Sequence, residues 1–302
     1  MATGDNNNLA VARYQRQFRD LLQAVFGVQS YFGDFFAGGL EALDGVSEAA
    51  TAFSVKTSDI PVVVGTYNTG ANVAFGTGTS NSTRFGPRTE IIYVNTDVPY
   101  TWSWAYHEGI DRFTVNNNMQ SAIADRLELQ AQAKTRMFNR HHADFIASIA
   151  GHTEPLASYG DDAVLALFDT LDAYYVNIEA VGSRVAKVNP ALYNAIVNHP
   201  LTVTSKNSTA NIDSNNIVRF KDFAIQAIPD AMLTAGETPT AYAAYVYITN
   251  VGKAFTGINT VRTIESEDFD GVALQGAGKA GEYIINDNKK AVVKVTAPTV
   301  TP

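Results

Sequence analysis

NMQSAIADRLELQAQAKTRMFNRHHADFIASIA, residues 118–150, contains neither glycine nor proline. Met119, Ile123 and Leu127 recur every fourth position, and Met137, Phe138, Phe145 and Ile149 carry the apolar face onward. This periodicity predicts one uninterrupted α-helix, a rod of about 48 Å at ~1.5 Å per residue. Gly151 stands where a helix C-cap belongs. Strand signals lie on both sides of it, so the helix reads as a backbone on which sheets are laid.

Just upstream, Tyr100, Trp102, Trp104 and Tyr106 alternate, which sets four rings on one face of a strand, with Phe113 close behind. Further upstream the chain changes character. Residues 52–66 are rich in β-formers, and Ile60 to Thr83 includes no charged residue but four glycines, Gly65, Gly70, Gly76 and Gly78. The segment ends in Arg84-Phe85-Gly86-Pro87-Arg88, and a second strand is predicted over Thr89 to Asn95. Strand, long Gly/Thr/Asn tip and strand make an extended hairpin. A lone ribbon is marginal in water, so this one is expected to be partly unstructured or to rest on another molecule. Near the N-terminus, residues 9–27 show helical periodicity with Asn8 as N-cap, and Arg13, Arg16 and Arg19 share a face. That basic stripe is either solvated or docked on an acidic neighbour. The aromatics that follow, Tyr31, Phe32, Phe35 and Phe36, must be buried, in the chain's own core or across a subunit boundary.

Downstream, a helix is predicted at 161–180, a strand at 184–188, and a short helix opened by Asn189-Pro190 with proline at its first turn. Strands are predicted at 216–220, 223–228 and 242–249, then at Thr260 to Glu265, Val272 to Gly276, Gly281 to Asn286 and Ala291 to Val295. The fold class is α+β.

Composition excludes several classes. The 302 residues carry 22 Lys+Arg against 30 Asp+Glu, a net charge of −8, and only 17 % are charged. An acidic chain with scattered lysines is a poor nonspecific binder of nucleic acid. With no cysteine, disulfide scaffolds, thiolate nucleophiles and cysteine-ligated metals are excluded. Neither a membrane span nor a signal peptide is read, so the sequons at Asn81 and Asn207 are taken as chance matches. Polarity comes from Thr, Asn and Ser, and such a surface can pack on protein without stripping water from many ions.

Chemistry-bearing constellations are few. His107-Glu108-Gly109-Ile110-Asp111 is similar to a zinc-protease signature, but the fifth position is Asp and Gly109 argues against a helix. His141 and His142, adjacent on the long helix, point about 100° apart and read as a solvated or interface pair. Glu265, Glu267, Asp268 and Asp270 form an acidic cluster, read as a solvated turn or an inter-subunit ion-pair site. No catalytic, cofactor or metal site is read, and the chain is not read as an enzyme.

The order of parts resembles the major capsid proteins of tailed phages, the Hong Kong 97-type fold. Local stretches that look like the family are ALFDTLDAYYVNI at 166–178, NPALYNAIVNHPL at 189–201, IVRFKDFAIQAIPDAML at 217–233 and, most of all, VRTIESEDFDGVALQGAGKAGEYIINDNKKAVVKV at 261–295. The resemblance implies an N-terminal arm at 1–53 and an extended hairpin loop at 54–98. It implies a peripheral domain with the spine helix at 99–154, an axial domain at 155–255, and return strands plus tail at 256–302. It implies hexamers and pentamers tiling an icosahedral shell around double-stranded DNA, assembled in the host cytoplasm without cofactor or membrane. Expected partners are further copies of the chain, a separate scaffolding protein, a portal, a cement or decoration protein, and DNA held without sequence-specific contact. Candidate assembly contacts are Arg13, Arg16, Arg19, Phe32, Phe35, Phe36, Arg84, Phe85, Arg88, Glu265, Glu267, Asp268 and Asp270. The family's type member cross-links itself through a loop lysine and carries a cleaved scaffolding segment. Here no lysine lies between Lys56 and Lys134, and only about eight polar residues precede the first predicted helix. Isopeptide bonds are not expected, and either the sequence is already the mature form or scaffolding is a separate protein, the reading that the initiator Met favours. The rival readings are an encapsulin-like nanocompartment shell, a hydrolase using His107 or His142, and a carbohydrate-binding tail protein.

Overall fold

The rod read from residues 118–150 is present as α1, Met119–Ile149, in the computed structural model, which describes residues 28–43, 51–58, 60–70, 84–86, 88–115, 119–204, 217–234 and 242–298. The helix expected at 9–27, with Arg13, Arg16 and Arg19, lies outside the described residues. The strands are β1 (Phe36–Ala42), β2 (Thr51–Thr57), β3 (Val94–Pro99), β4 (Trp102–Asp111), β5 (His152–Pro155), β6 (Arg184–Val188), β7 (Arg219–Phe220), β8 (Phe223–Ala227), β9 (Tyr242–Ile248), β10 (Gly252–Glu265), β11 (Gly271–Ile284) and β12 (Val292–Thr296). Three shorter helices follow α1: α2 (Asp161–Asn177), α3 (Pro190–Val197) and α4 (Pro200–Thr204). Asn189 caps α3 as its sequence predicts, its side chain accepting from Leu192 N at 2.7 Å.

One sheet has the order β1-β10-β11-β4. Its even-numbered β4 positions turn toward α1. Trp102 stacks on His141 with ring centroids 4.0 Å apart, and the Lys134 ammonium lies 4.2 Å over Trp104. Gly276 and Gly278 of β11 stand opposite Tyr106 and Trp104. The rings lie across the bare glycine backbone, and a Cβ at Gly278 would come 2.6 Å from the Trp104 indole. The two short strands expected at 272–276 and 281–286 are therefore one 14-residue strand, because these glycines seat rings instead of ending the ladder. Gly278→Val is expected to cost about 1–3 kcal/mol by overpacking, read by urea unfolding, with Trp104→Ala in the same chain restoring part of it.

The second sheet has the order β5-β12-β9-β6-β8-β7. Side chains alternate along it, as a sheet covered on both faces requires. Ala186, Val188, Ala244, Val246, Val293 and Val295 pack against Val164, Phe168 and Leu171 of α2 and Leu192 and Ile196 of α3. Val185, Tyr245, Tyr247 and Val292 pack on the other face against Ala143, Ile146 and Ala147 of α1. Residues 292–296, grouped in the sequence reading with the return strands, leave them and pair with β9 and β5. Gly151 ends the helix segment tightly against this crossover. Its N–H donates to Lys289 O at 3.0 Å, and a Cβ there would come 2.5 Å from the same oxygen.

Phe32, Phe35 and Phe36 belong to the core on the α1 side of this sheet. Phe35 meets Tyr247 edge-on at 4.9 Å and Phe36 lies 4.5 Å from His142. They are therefore not the assembly contacts expected from the resemblance, because the chain's own core takes all three. Beside them Lys187, 2 % exposed, donates to Asp34 at 2.8 Å, and Tyr247 OH donates to the other Asp34 oxygen at 2.8 Å.

The hairpin is a third, two-stranded unit, β2 paired with β3. Phe53 packs edge-on against Phe255 at 5.1 Å and Tyr283 at 5.9 Å, on the face of the β10-β11 ladder opposite α1. The pairing sits lower on the hairpin than expected. Residues 60–66 and 88–93 are outside any strand, and their apolar side chains find little among the described residues to cover them.

Candidate assembly surfaces

Val62, Val63 and Val64 are 87, 75 and 90 % exposed, and Ile91, Ile92 and Tyr93 are also exposed. The two limbs of their arm meet at residues 67–68 and 84–85. Asn68 N donates to Arg84 O at 2.9 Å, Arg84 Nη1 donates back to Asn68 O at 3.0 Å, and Tyr67 meets Phe85 edge-on at 5.1 Å. Scattered exposed apolar residues are ordinary, but a contiguous exposed run of this length makes the arm a candidate interaction surface. Arg88 lies in the same arm and is exposed.

The acidic cluster sits on the turn joining β10 and β11. Arg112 reaches Glu265 and Asp270, each at 3.6 Å. Glu267 and Asp268 are exposed on the same turn. Two of the four acids are thus engaged within the chain, and the pairing is at solvent-screened distance, where it contributes little.

The histidine constellations are structural. His107 and Glu108 occupy opposite faces of β4. His107 bonds Gln275 at 3.1 Å, while Glu108 takes a two-pronged bond from Arg126 at 2.8 and 2.6 Å and a third from Gln130 at 2.5 Å. The Arg126 hydrogen bonds hold the Glu108 carboxyl below its ordinary range, against the burial that pushes it up. It stays an ionised anchor between β4 and α1. The reading of His141 and His142 as one solvated or interface pair is corrected for His142. It is 8 % exposed, and its Nδ1 lies 3.0 Å from Glu282, itself 6 % exposed. Glu282 also accepts from Trp102 Nε1 at 3.2 Å and Thr101 Oγ1 at 3.3 Å. This buried carboxylate, which ties α1 to two strands, escaped the sequence reading. Its only signal is parity, since it continues the even-numbered series 276, 278 and 280 on the face that meets α1. Burial lowers the pKa of His141. Among the described residues no three His, Asp or Glu side chains are grouped to hold a metal, and no helix is long and apolar enough to cross a membrane.

No protein-family model matches the sequence and no curated protein matches it. Solved structures do. A chain from Mycobacterium phage Che8 superposes with a TM-score of 0.63 at 14 % identity, covering 89 % of this chain and 92 % of that one. The capsid structure of cyanophage P-SCSP1u gives 0.64 at 11 % identity over 92 % and 95 %. The mature capsid of bacteriophage PhiM1 gives 0.65 at 11 % identity over 92 % and 89 %. The chain has the fold of tailed-phage capsid proteins, the Hong Kong 97-type fold.

Proposed function

We propose that the chain is the major capsid protein of a tailed double-stranded DNA phage, assembling with copies of itself into hexamers and pentamers of an icosahedral head. The observation that carries this reading is coverage: the fold match spans about nine-tenths of this chain and of the solved capsid chains. The uncovered apolar arm supports it, since such a surface suits a subunit that spends its life packed on others. In this reading the four-stranded sheet with α1 is the peripheral domain. The six-stranded sheet, now including residues 292–296, is the axial domain, and residues 51–99 are the extended loop. The role is structural rather than enzymatic. A separate scaffold, a portal, a cement protein and packaged DNA are the partners, and the virion head is the location. Electron microscopy of the purified chain is the test: closed shells are expected, and a soluble monomer under all assembly conditions would overturn the reading. Denaturing electrophoresis of mature particles is expected to give one band near the 32.6 kDa chain mass, because no lysine lies between Lys56 and Lys134. A ladder would show covalent cross-linking after all.

A further inference from the structure

Leu129, Ala133 and Met137 follow one another at four-residue spacing on α1 and share a face of the helix. Ala133 is small where its two neighbours are large, and there a cleft of about 430 Å³ opens between α1 and the rings of Trp104 and Tyr106. Pockets for small ligands run from about 300 to 1,000 Å³. The two rings are stacked, 5.6 Å apart and 14° from parallel. Four charged side chains line the same cleft. Glu108 is held by Arg126, which leaves the positive charges of Lys134 and Arg136. In a chain of net charge −8 this is a local excess of the opposite sign. Arg136 is exposed and enters no ion pair among the described residues. Lys134 lies 4.2 Å over the Trp104 ring, where burial lowers its pKa. Trp104 and Gln130 are each 8 % exposed, and Trp104 Nε1 and Gln130 Oε1 are shut off from water with no hydrogen-bond partner among the described residues. Native interiors seldom leave such atoms without a partner, and here a donor and an acceptor stand in the wall of one cleft.

We propose that this cleft binds a nucleoside monophosphate, with its base between Tyr106 and Ala133 and its phosphate on Lys134 and Arg136. The walls select this class of ligand. Every base has a π-face that stacks on an aromatic ring. The edge of adenine sets a ring-nitrogen acceptor beside an amine donor, the complement of Trp104 Nε1 and Gln130 Oε1. A phosphate answers two cations, and a guanidinium can grip it with two parallel bonds. A fatty acid has the charge but no donor for Gln130, and an uncharged ring leaves both cations unanswered. Lys134 is the moving part. Its side chain covers the indole. Swung outward, it uncovers Trp104 and brings its ammonium to the phosphate. The bound nucleotide joins β4 to α1 beside the Glu108–Arg126 link. The proposal goes beyond the shell reading and does not depend on it, since the cleft is built by a single chain.

Equilibrium dialysis of the purified full chain against labelled adenosine monophosphate is expected to show saturable binding. Tryptophan fluorescence is expected to fall with it, since Trp102 and Trp104 are the only tryptophans. Adenosine and inorganic phosphate, each offered alone, are expected to bind about tenfold more weakly. Ala133→Phe fills the cleft from an exposed helix position and removes no polar group. It is expected to weaken the nucleotide about tenfold with helix content unchanged. Arg136→Ser, also at an exposed position, is expected to weaken the nucleotide about fivefold and to leave adenosine binding unchanged, a split that a general structural lesion does not produce. If Ala133→Phe fails to fold, Arg136→Ser decides by itself. No saturable binding below about 1 mM would overturn the site. So would phosphate binding as tightly as the nucleotide, or a folded variant binding it as the wild-type chain does. Each of these results leaves the shell reading intact, because that reading is tested by the particles seen in the microscope.

Discussion

Asp34→Ala is expected to lower the unfolding free energy by about 3–5 kcal/mol, and Lys187→Met by no more than about 1 kcal/mol. The asymmetry follows from who is buried. Lys187 is 2 % exposed, and its ammonium reaches Asp34 and Gln226. Burial lowers the lysine pKa, opposed by the Asp34 charge. Removing the carboxylate leaves a charge in the interior with a neutral amide as its remaining partner, and Tyr247 OH loses its acceptor as well. Removing the lysine instead leaves Asp34, whose side chain is 33 % exposed and can be hydrated. The double variant Asp34→Ala/Lys187→Met is expected to recover most of the loss. Urea unfolding of the four chains checks this, and equal losses from the two single variants would refute the account.

Stability is expected to fall steeply above about pH 10, by roughly 4 kcal/mol per pH unit. Tyr175, Tyr245 and Tyr247 are fully buried, and burial raises all three phenol pKa values above 10.0. The unfolded chain ionises at its ordinary value while the native chain keeps its protons. The stability these groups contribute is therefore complete below that value and is lost as pH climbs toward the native pKa values. Each tyrosine contributes about 1.4 kcal/mol per unit. Lys187 acts with the opposite sign. Its lowered pKa adds stability as pH rises toward 10.5 and nothing beyond. The profile should rise gently and then drop. Tyr245 OH has no hydrogen-bond partner among the described residues, so Tyr245→Phe should be nearly neutral at about pH 8 and remove about a third of the alkaline slope. A profile that is flat through about pH 11 would contradict this assignment.

The parts legible in the sequence are those whose signals are local. An uninterrupted apolar stripe specified α1, and Asn189-Pro190 specified the start of α3. Alternating rings placed Trp102, Trp104 and Tyr106 on one face. What was missed depends on partners far along the chain. Gly276 and Gly278 look like strand breakers until the rings across the ladder are known. Phe32, Phe35 and Phe36 demand burial, but nothing in four close aromatics says whether the cover belongs to the same chain. His142 looked exposed because its partner, Glu282, is 140 residues away. Of the candidate assembly surfaces, the acidic turn was legible from the strands that bracket it, and so was the uncharged arm. The cleft between β4 and α1 was not, since it exists only where a strand and a helix fold together.

The crossover of residues 292–296 has a consequence for the order in which the molecule is made. β12 lies between β9 and β5, and β5 has no other strand neighbour among the described residues. A chain emerging from the ribosome can form α2, α3 and the β6-β8-β9 ladder before the seat for β5 and the backbone against which Gly151 closes have been made. Pairings this distant in sequence are slow to form. The sheet is therefore completed only once residues 292–296 have been made, some 140 residues after β5 itself.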